Sequence, residues 1–506
     1  MKTKAKVINK LFSVLPIFLI WLFGFFLRSY RQSDLLTFHY DQGRDAQIAS
    51  DILAFRNFPT IGPTTGIEGL FLGPFWFYLI TPGYFLSSGH PAGASIFISF
   101  LESLTIPLIF LIIKKYFSST KAAYLGAILW AFSNFLIRSS RWFSNPSPLP
   151  FFVLLILFCL LKVFQDKDAR FFPPIFLLLG LTLQLEAASA VFFIPTVLLF
   201  FLLNRKSIVL KVSSYFKGIV LFLILLLPQL AFELKNNFFI TRSFLNFIFG
   251  KSNTNTGSSW AIPTLSFAQN RLVNFYNAFF SKLDTNLTQF SVVLFIIFIF
   301  SLFFLLKTHR KNLLVQLSFL WTFVPLAFLM FFVGNYGNLY DYYLTGFFPS
   351  FIILFSLSLF SFKERYLSLL LAAITLFIFF QGNFIYVRDY LSAGVDGPEH
   401  ITLGNQIQSI EKICELSKDA NYNLTIYVPP IIPNSYNYLL TWYQNNGKCS
   451  PPSPQNEPYL LTLYEVDPPH PERLKNWIDQ ISSYSLLTNR YQYGGIFVEE
   501  RQQISQ

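Results

Sequence analysis

In the stretch "FHYDQGRDAQIASDIL", residues 38–53, Asp41, Asp45 and Asp51 stand with Arg44 just after a long apolar run. Asp41 and Asp45 are four residues apart, so on a helix they share a face with their side chains roughly 6 Å apart. A carboxylate held there suits general-base work on an incoming hydroxyl. A second one beside it could orient that hydroxyl or bind a divalent cation. The same residue types admit a plainer account, in which Asp41 caps the helix N-terminus and Asp45 pairs with a nearby arginine.

Other residues could complete such a site. Arg44, Arg138, Arg141, Lys235 and Arg242 are candidates for a cationic clamp on an anionic group, and each could equally be an interfacial snorkelling residue. Glu68, in the same loop as Asp41, is a further substrate-binding candidate. Glu186, in "LTLQLEAASAVFF", is costly in an apolar stretch unless paired or solvated; it either lines a cavity or marks the outer end of a helix. Tyr340, Asp341 and Tyr342, with Tyr343, read as an aromatic belt at a helix start or as a sugar-stacking platform. His90 and His400 have no companions at metal-ligand spacing, and no Walker loop, dinucleotide fingerprint or Ser-His-Asp pattern is found. A divalent cation at Asp45 is the only cofactor that the residues suggest.

The elements that must position these residues are membrane helices. The chain is 53% hydrophobic and 13% charged with mean hydropathy +0.48, outside the range of soluble globular proteins. Apolar segments near 9–28, 70–88, 92–113, 122–137, 148–164, 172–203, 213–232, 289–307, 312–334, 340–361 and 364–381 predict an α-helical polytopic membrane protein with about 11–12 crossings of a hydrocarbon layer about 30 Å thick. The first segment follows Lys2, Lys4, Lys6 and Lys10 and runs into "RSYRQSD" without a small-x-small site, which predicts a retained anchor with a cytoplasmic N-terminus. The stretch 172–203 is long for one helix and reads as one or two. As two, it satisfies the positive-inside rule only if 70–88 does not fully cross. In either case the loops 29–69 and 233–288, the connection near 335–341 and everything after 382 share the outer side.

The net charge of +12 falls largely in short linkers between apolar runs, a topology signal that also suits an anionic membrane surface; nothing resembles a nucleic-acid module. Within the first loop, Ile48, Ile52 and Phe55, flanked by Ala49 and Leu53, predict the apolar face of an interfacial amphipathic helix. The polar patch "KSNTNTGSS" reads as a mobile loop. The chain divides into a transmembrane region, 1–384, and a small extracytoplasmic α/β domain, 385–506. In the latter "LGNQIQSIEKICELS" and "HPERLKNWIDQIS" predict helices, and "NLTIYVPP", "PYLLTLYEV" and "GGIFVEE" predict strands. Cys414 and Cys449 lie in this part and could pair if it is extracytoplasmic; Cys159 reads as core.

The acidic pair after the first helix, the juxtamembrane helix, "FPTIGPTT" and then "GLFLGPFWFYL" together resemble the bacterial GT-C glycosyltransferases that use polyprenyl-phosphate sugars. These include the Rgt-like proteins, the protein O-mannosyltransferases and the aminoarabinose transferase of lipid A. "LLPQLAFELKNNFFITRSF" and "LYDYYLTGFFPSFIIL" are similar to the family's entry to its second outer loop and its late aromatic-proline segment. The resemblance spans about residues 1–380, and the tail is similar to the appendix of some members. It implies an inverting glycosyl transfer on the extracytoplasmic face of a bacterial plasma membrane, with Asp41 in the position of the base and a polyprenyl-phosphate sugar as donor. Many members carry a second acid where this chain has Gln42. The acceptor is a hydroxyl of a lipid, a surface glycan or a protein. A lipid-sugar flippase and a non-catalytic membrane scaffold are the alternative readings.

Overall fold

A computed structural model describes residues 2–248, 262–332, 338–395, 397–418, 420–429 and 432–504, without the side chains of 2–13, 247 and 248. The patch "KSNTNTGSS" and the first part of the 335–341 connection lie outside the described residues.

The chain enters through α1 (Lys2–Ser29), makes the short turn α2 (Gln32–Leu35), and forms the juxtamembrane helix α3 (Tyr40–Leu53) and then α4 (Phe75–Leu86). Next come α5 (Pro91–Ser103) with α6 (Thr105–Tyr116), α7 (Thr120–Phe132) with α8 (Asn134–Arg141), α9 (Leu149–Phe164), and α10 (Phe172–Leu185). The following helices are α11 (Ala187–Ala190) with α12 (Phe193–Asn204), α13 (Val212–Lys235), α14 (Phe239–Ile248) and α15 (Leu265–Phe280). The last apolar helices are α16 (Gln289–His309), α17 (Leu313–Leu329), α18 (Phe348–Leu359) and α19 (Arg365–Ser392).

Seven of the helical segments are long and apolar enough to cross a membrane, and the α7–α8 pair, bent by 56°, makes an eighth. Three shorter apolar helices, at 149–164, 169–185 and 313–329, run between the same two ends of the bundle. This is a multi-pass membrane protein.

Contacts fix which turns share an end. At one end Asn312 donates to Tyr116 O, Lys115 pairs with Asp166, Asn204 donates to Gln316, and Phe304 packs on Phe362. At the other, Asn383 accepts from the Asn134 N–H, Asn145 donates to Leu185 O, and Arg31 donates to the carbonyls of Leu391 and Ala393. Two uncertain segments are thereby settled. The stretch 172–203 is two helices broken at Glu186, because the backbone there turns extended (φ −154°, ψ 92°) and Glu186 caps the next turn. Segment 70–88 is no crossing. Its start is tied to Gln184 and its end, Ser88–Gly89, to Trp442 and Tyr438, both at the end that carries the tail domain.

Inside the bundle, Arg28 and Glu102 form a buried ion pair at 2.7 Å, and Arg28 also donates to Gly24 O, Trp130 O and Ala131 O. Charges in an apolar bundle persist when every polar atom is met, and this pair joins α1, α5 and α7. In contrast, α13 buries only Gly218 and Glu233, and its outward leucines and phenylalanines suit lipid tails.

The tail consists of α20 (Leu403–Leu416), β1 (Asn423–Tyr427), α21 (Asn434–Asn445), β2 (Tyr459–Glu465), α22 (Pro471–Ser482), β3 (Ser485–Tyr493) and β4 (Ile496–Gln503). Its sheet order is β1-β2-β4-β3, parallel between β1 and β2 and antiparallel elsewhere. Cys414 and Cys449 form a disulfide, and Cys159 is buried and free.

Candidate active site

Helix α3 begins where the backbone of His39 is extended and its N–H donates to Gln42 Oε1 at 3.2 Å. Gln42 thus closes the first turn, and its amide donates to Phe143 O at 3.1 Å. Asp41 is not the cap. Its side chain remains 63% exposed, enough for an incoming molecule to reach it, and pairs with Arg44 at 2.9 Å.

Asp45 is placed otherwise. It is buried, with Oδ1 held by Arg44 at 2.7 Å and Oδ2 by the Trp76 indole N–H at 2.7 Å. Burial pushes this carboxyl up to about 6, against the opposing pull of Arg44 and Trp76. Both oxygens of Asp45 are thus engaged inside the protein, which suits this residue to positioning more than to the direct substrate contact expected of a catalytic Asp45. The Arg44 guanidinium stands between the two carboxylates. Among the described residues no group of three or more His, Cys, Asp or Glu converges on a metal-sized site.

The buried face of α3 differs from the predicted apolar stripe. Gln42, Gly43, Asp45, Ala46, Ala49 and Ile52 are buried, while Ile48 and Leu53 are half-buried and Phe55 is 82% exposed at φ +57°. The helix is rotated because its polar residues find partners inside the protein: Gln42 on the 142–148 turn and Asp45 on α4.

From Trp76 a row of aromatic side chains crosses the same end of the bundle. Trp76 packs on Phe143 at 5.4 Å, and the neighbouring Trp142 on Tyr342 at 6.2 Å. Tyr342 stacks on Tyr340 at 5.5 Å with only 7° between the planes and meets Tyr343 at 4.7 Å. Tyr340 and Asp341 then line a cavity of about 290 Å³ with Asn274, Asn277, Asn338 and Leu339. Lys282 was missed in the sequence. It is fully buried with its ammonium over the Phe135 and Phe348 rings, 3.8 Å from Asp341, and its desolvation lowers the amine to about 7. A lysine two residues past the end of an amphipathic helix carries no sequence signal for this.

Of the other candidates, Glu186 is buried at the α10–α11 break and accepts the Ala188 N–H at 3.1 Å, so it marks a helix end. Ser189, in the next turn, donates to Tyr343 O, which brings that end to the aromatic row. Glu68 is exposed in the 64–71 turn, beside Gly69, whose packing on Ser243 and Phe239 carries this loop to α14. Lys235 and Arg242 are exposed at the α13–α14 corner, where buried Glu233 accepts from the Ile240 and Thr241 N–H groups and fixes the bend.

Two clamp candidates are not brought to Asp41. Arg141 is buried and donates to the carbonyls of Leu27, Arg28 and Tyr30 and to the Tyr390 hydroxyl. Arg138 lies over the Tyr390 ring at 4.9 Å. Three carbonyls at the end of α1 and the Tyr390 hydroxyl on α19 thus engage Arg141 within the protein, while Arg138 stays exposed.

Residues 72–232 match the model of the family described as dolichyl-phosphate-mannose-protein mannosyltransferase. No curated protein sequence matches the chain significantly. Among solved structures, ArnT from Cupriavidus metallidurans bound to undecaprenyl phosphate aligns over 97% of this chain and 98% of its own, with TM-score 0.59 and 12% identity. Its apo state aligns over the same shares with TM-score 0.61 and 10% identity. The archaeal oligosaccharyltransferase AglB from Archaeoglobus fulgidus, in complex with an inhibitory peptide and a dolichol-phosphate, aligns over 97% of this chain and 74% of its own, with TM-score 0.50 and 12% identity. The chain thus has the fold of the GT-C membrane glycosyltransferases, and its residues 72–232 are similar to the mannosyltransferase family.

Proposed function

We propose that this protein transfers a sugar from a polyprenyl-phosphate donor to a hydroxyl acceptor on the extracytoplasmic face of a bacterial plasma membrane, with inversion at the anomeric carbon. The observation that carries the reading is Asp41, an exposed carboxylate on a helix whose neighbouring turns are pinned by Gln42 and Asp45. Asp41 takes the acceptor proton, the acceptor oxygen bonds to the anomeric carbon, and the carbon–phosphate-oxygen bond breaks. The phosphate leaves as an anion, so positive charge near it serves better than a general acid. Arg44, Lys235 and Arg242 are the cations for this task, and Glu68 contacts substrate in the same loop.

The structural neighbours are described with undecaprenyl phosphate and with a dolichol-phosphate, which supports a lipid-linked donor. Support for the orientation comes from charge. Lys114, Lys115, Lys121, Lys167, Arg205, Lys206 and Lys311 gather at the end away from the tail, as the positive-inside rule expects of a cytoplasmic face. The disulfide in the tail suits the oxidising side. The cavity bearing Tyr340, Asp341 and three asparagines offers amide hydrogen bonds beside stacked aromatic rings, the chemistry that a sugar uses; Tyr342 continues that platform toward α3. The division at residue 384 separates this machinery from a tail that acts outside the membrane.

The reading is tested with purified protein, radiolabelled polyprenyl-phosphate sugars and a membrane extract. Transfer from at least one lipid-linked donor, and none from nucleotide sugars, is expected. Transfer from nucleotide sugars alone would overturn it.

A further inference from the structure

The tail domain holds both α3 and the segment that leads into it. From α20, the Leu403 N–H donates to Leu36 O at 2.8 Å and the Gln406 amide donates to Phe38 O at 2.9 Å. From α21, Asn434 donates to Tyr40 O at 3.4 Å. At Gly43 the backbones themselves meet: a Cβ there would lie 2.3 Å from Ser435 N and 2.4 Å from Asn434 C. These are main-chain atoms and have no side-chain freedom with which to yield, so Gly43 is the one residue type that permits this approach.

The same α21 also holds the helix that carries Trp76. Tyr438 donates to Gly89 O at 2.6 Å and Trp442 to Ser88 O at 2.8 Å, in the turn that ends α4. Ser88 and Gly89 both have positive φ (52° and 89°), so the turn is tight and its carbonyls point at α21. One helix of the tail therefore holds both the helix that carries Asp45 and the turn that ends the helix carrying Trp76. Behind it, Tyr436 anchors α21 to β2 through Glu465 at 2.7 Å. The Cys414–Cys449 disulfide joins the last turn of α20 to the segment just after α21, which covalently links the two helices that grip residues 36–43.

We infer that α21 of the tail is a brace that sets the position of the Asp41-bearing helix, with Gly43 as its contact point and the 88–89 turn as its second hold, so that sugar transfer depends on how the tail is docked. The inference rests on the proposed transferase reading for its kinetic consequence, while its structural consequence stands separately.

The test uses the full chain in detergent and two readouts, amide hydrogen exchange and transfer kinetics. Gly43→Ala must push α3 off α21. Exchange in residues 36–53 is expected to quicken at least tenfold with the tail strands 459–503 unchanged, and kcat to fall at least tenfold with the donor KM within twofold. The variant Tyr438→Phe with Trp442→Phe removes the two hydrogen bonds to 88–89 and trims the Trp442 packing on His90 while leaving Gly43 intact, and quicker exchange in 75–90 with lower kcat is expected. Wild-type exchange and kcat in both variants would overturn the brace. Should Gly43→Ala unfold the tail, the double variant decides alone. Coupled exchange in a wild-type protein that transfers no sugar would contradict the transferase reading and leave the brace in place.

Discussion

The indole N–H of Trp76 and the carboxylate of Asp45 meet at 2.7 Å, 31 residues apart in sequence and both buried. This bond fixes the rotation of α3 about its axis and so the direction in which Asp41 projects. Trp76→Phe keeps an aromatic ring at this buried position but deletes the donor and part of the packing. A buried charged hydrogen bond contributes roughly 1.5–3 kcal/mol. We expect a lower unfolding temperature and a severalfold fall in transfer, read by thermal unfolding in detergent and by initial rates.

The Asp45 carboxyl, raised by burial to about 6, gives a pH dependence with a definite sign. Its folded value lies above its unfolded one, so the folded state holds the proton more tightly and this residue's contribution to stability is lost as pH rises from about 4 to about 6. Activity runs the other way. Below about 6 Asp45 is neutral, Arg44 turns wholly to Asp41 and weakens it as a base. Transfer should therefore fall with an acid limb near 6, and in Asp45→Asn that limb should disappear along with much of the rate. A pH–rate profile of both proteins checks it.

Arg141 and the pair Lys235 and Arg242 should behave oppositely. Arg141→Ala leaves the carbonyls of Leu27, Arg28 and Tyr30 without their buried donor, so unfolding should come several degrees lower while the surviving protein keeps its donor KM within twofold. Lys235→Ala with Arg242→Ala should leave the unfolding temperature unchanged and raise the donor KM severalfold. Thermal shift and saturation kinetics on the same preparations distinguish the two.

The broken stretch at Glu186 and the non-crossing α4 fix a topology that cysteine labelling can read. Cys159 is buried and Cys414 and Cys449 are bonded, so introduced thiols report alone. Lys121→Cys should resist an impermeant maleimide on intact cells, and Asn236→Cys should be labelled. The reverse pattern would invert the protein.

Much of this architecture was legible because apolar length and the shift to polar composition after 382 are strong signals. Two segments that the sequence left open are decided by contacts: 70–88 is α4, which starts and ends at one face, and 172–203 is two helices. Hydropathy measures length and greasiness and cannot see that α4 turns back at Ser88–Gly89. Helix α21, "NSYNYLLTWYQN", and strand β3 went unread, since one is aromatic and polar without a clean stripe and the other is largely exposed. In the site, the cluster of Asp41, Arg44 and Asp45, with an arginine partner for Asp45, was legible from spacing. The burial of Asp45 was not, because its partner Trp76 is distant in sequence. The Arg28–Glu102 pair and Lys282 lie beyond local pattern for the same reason.

The most direct measurement is sugar transfer from radiolabelled polyprenyl-phosphate donors by wild type and by Asp41→Asn, with folding of the variant verified by its unfolding transition. Loss of a positioned general base costs roughly a hundred- to ten-thousand-fold in rate, and a loss of that size in a stably folded variant is the predicted result. Equal transfer by the two proteins would contradict the account.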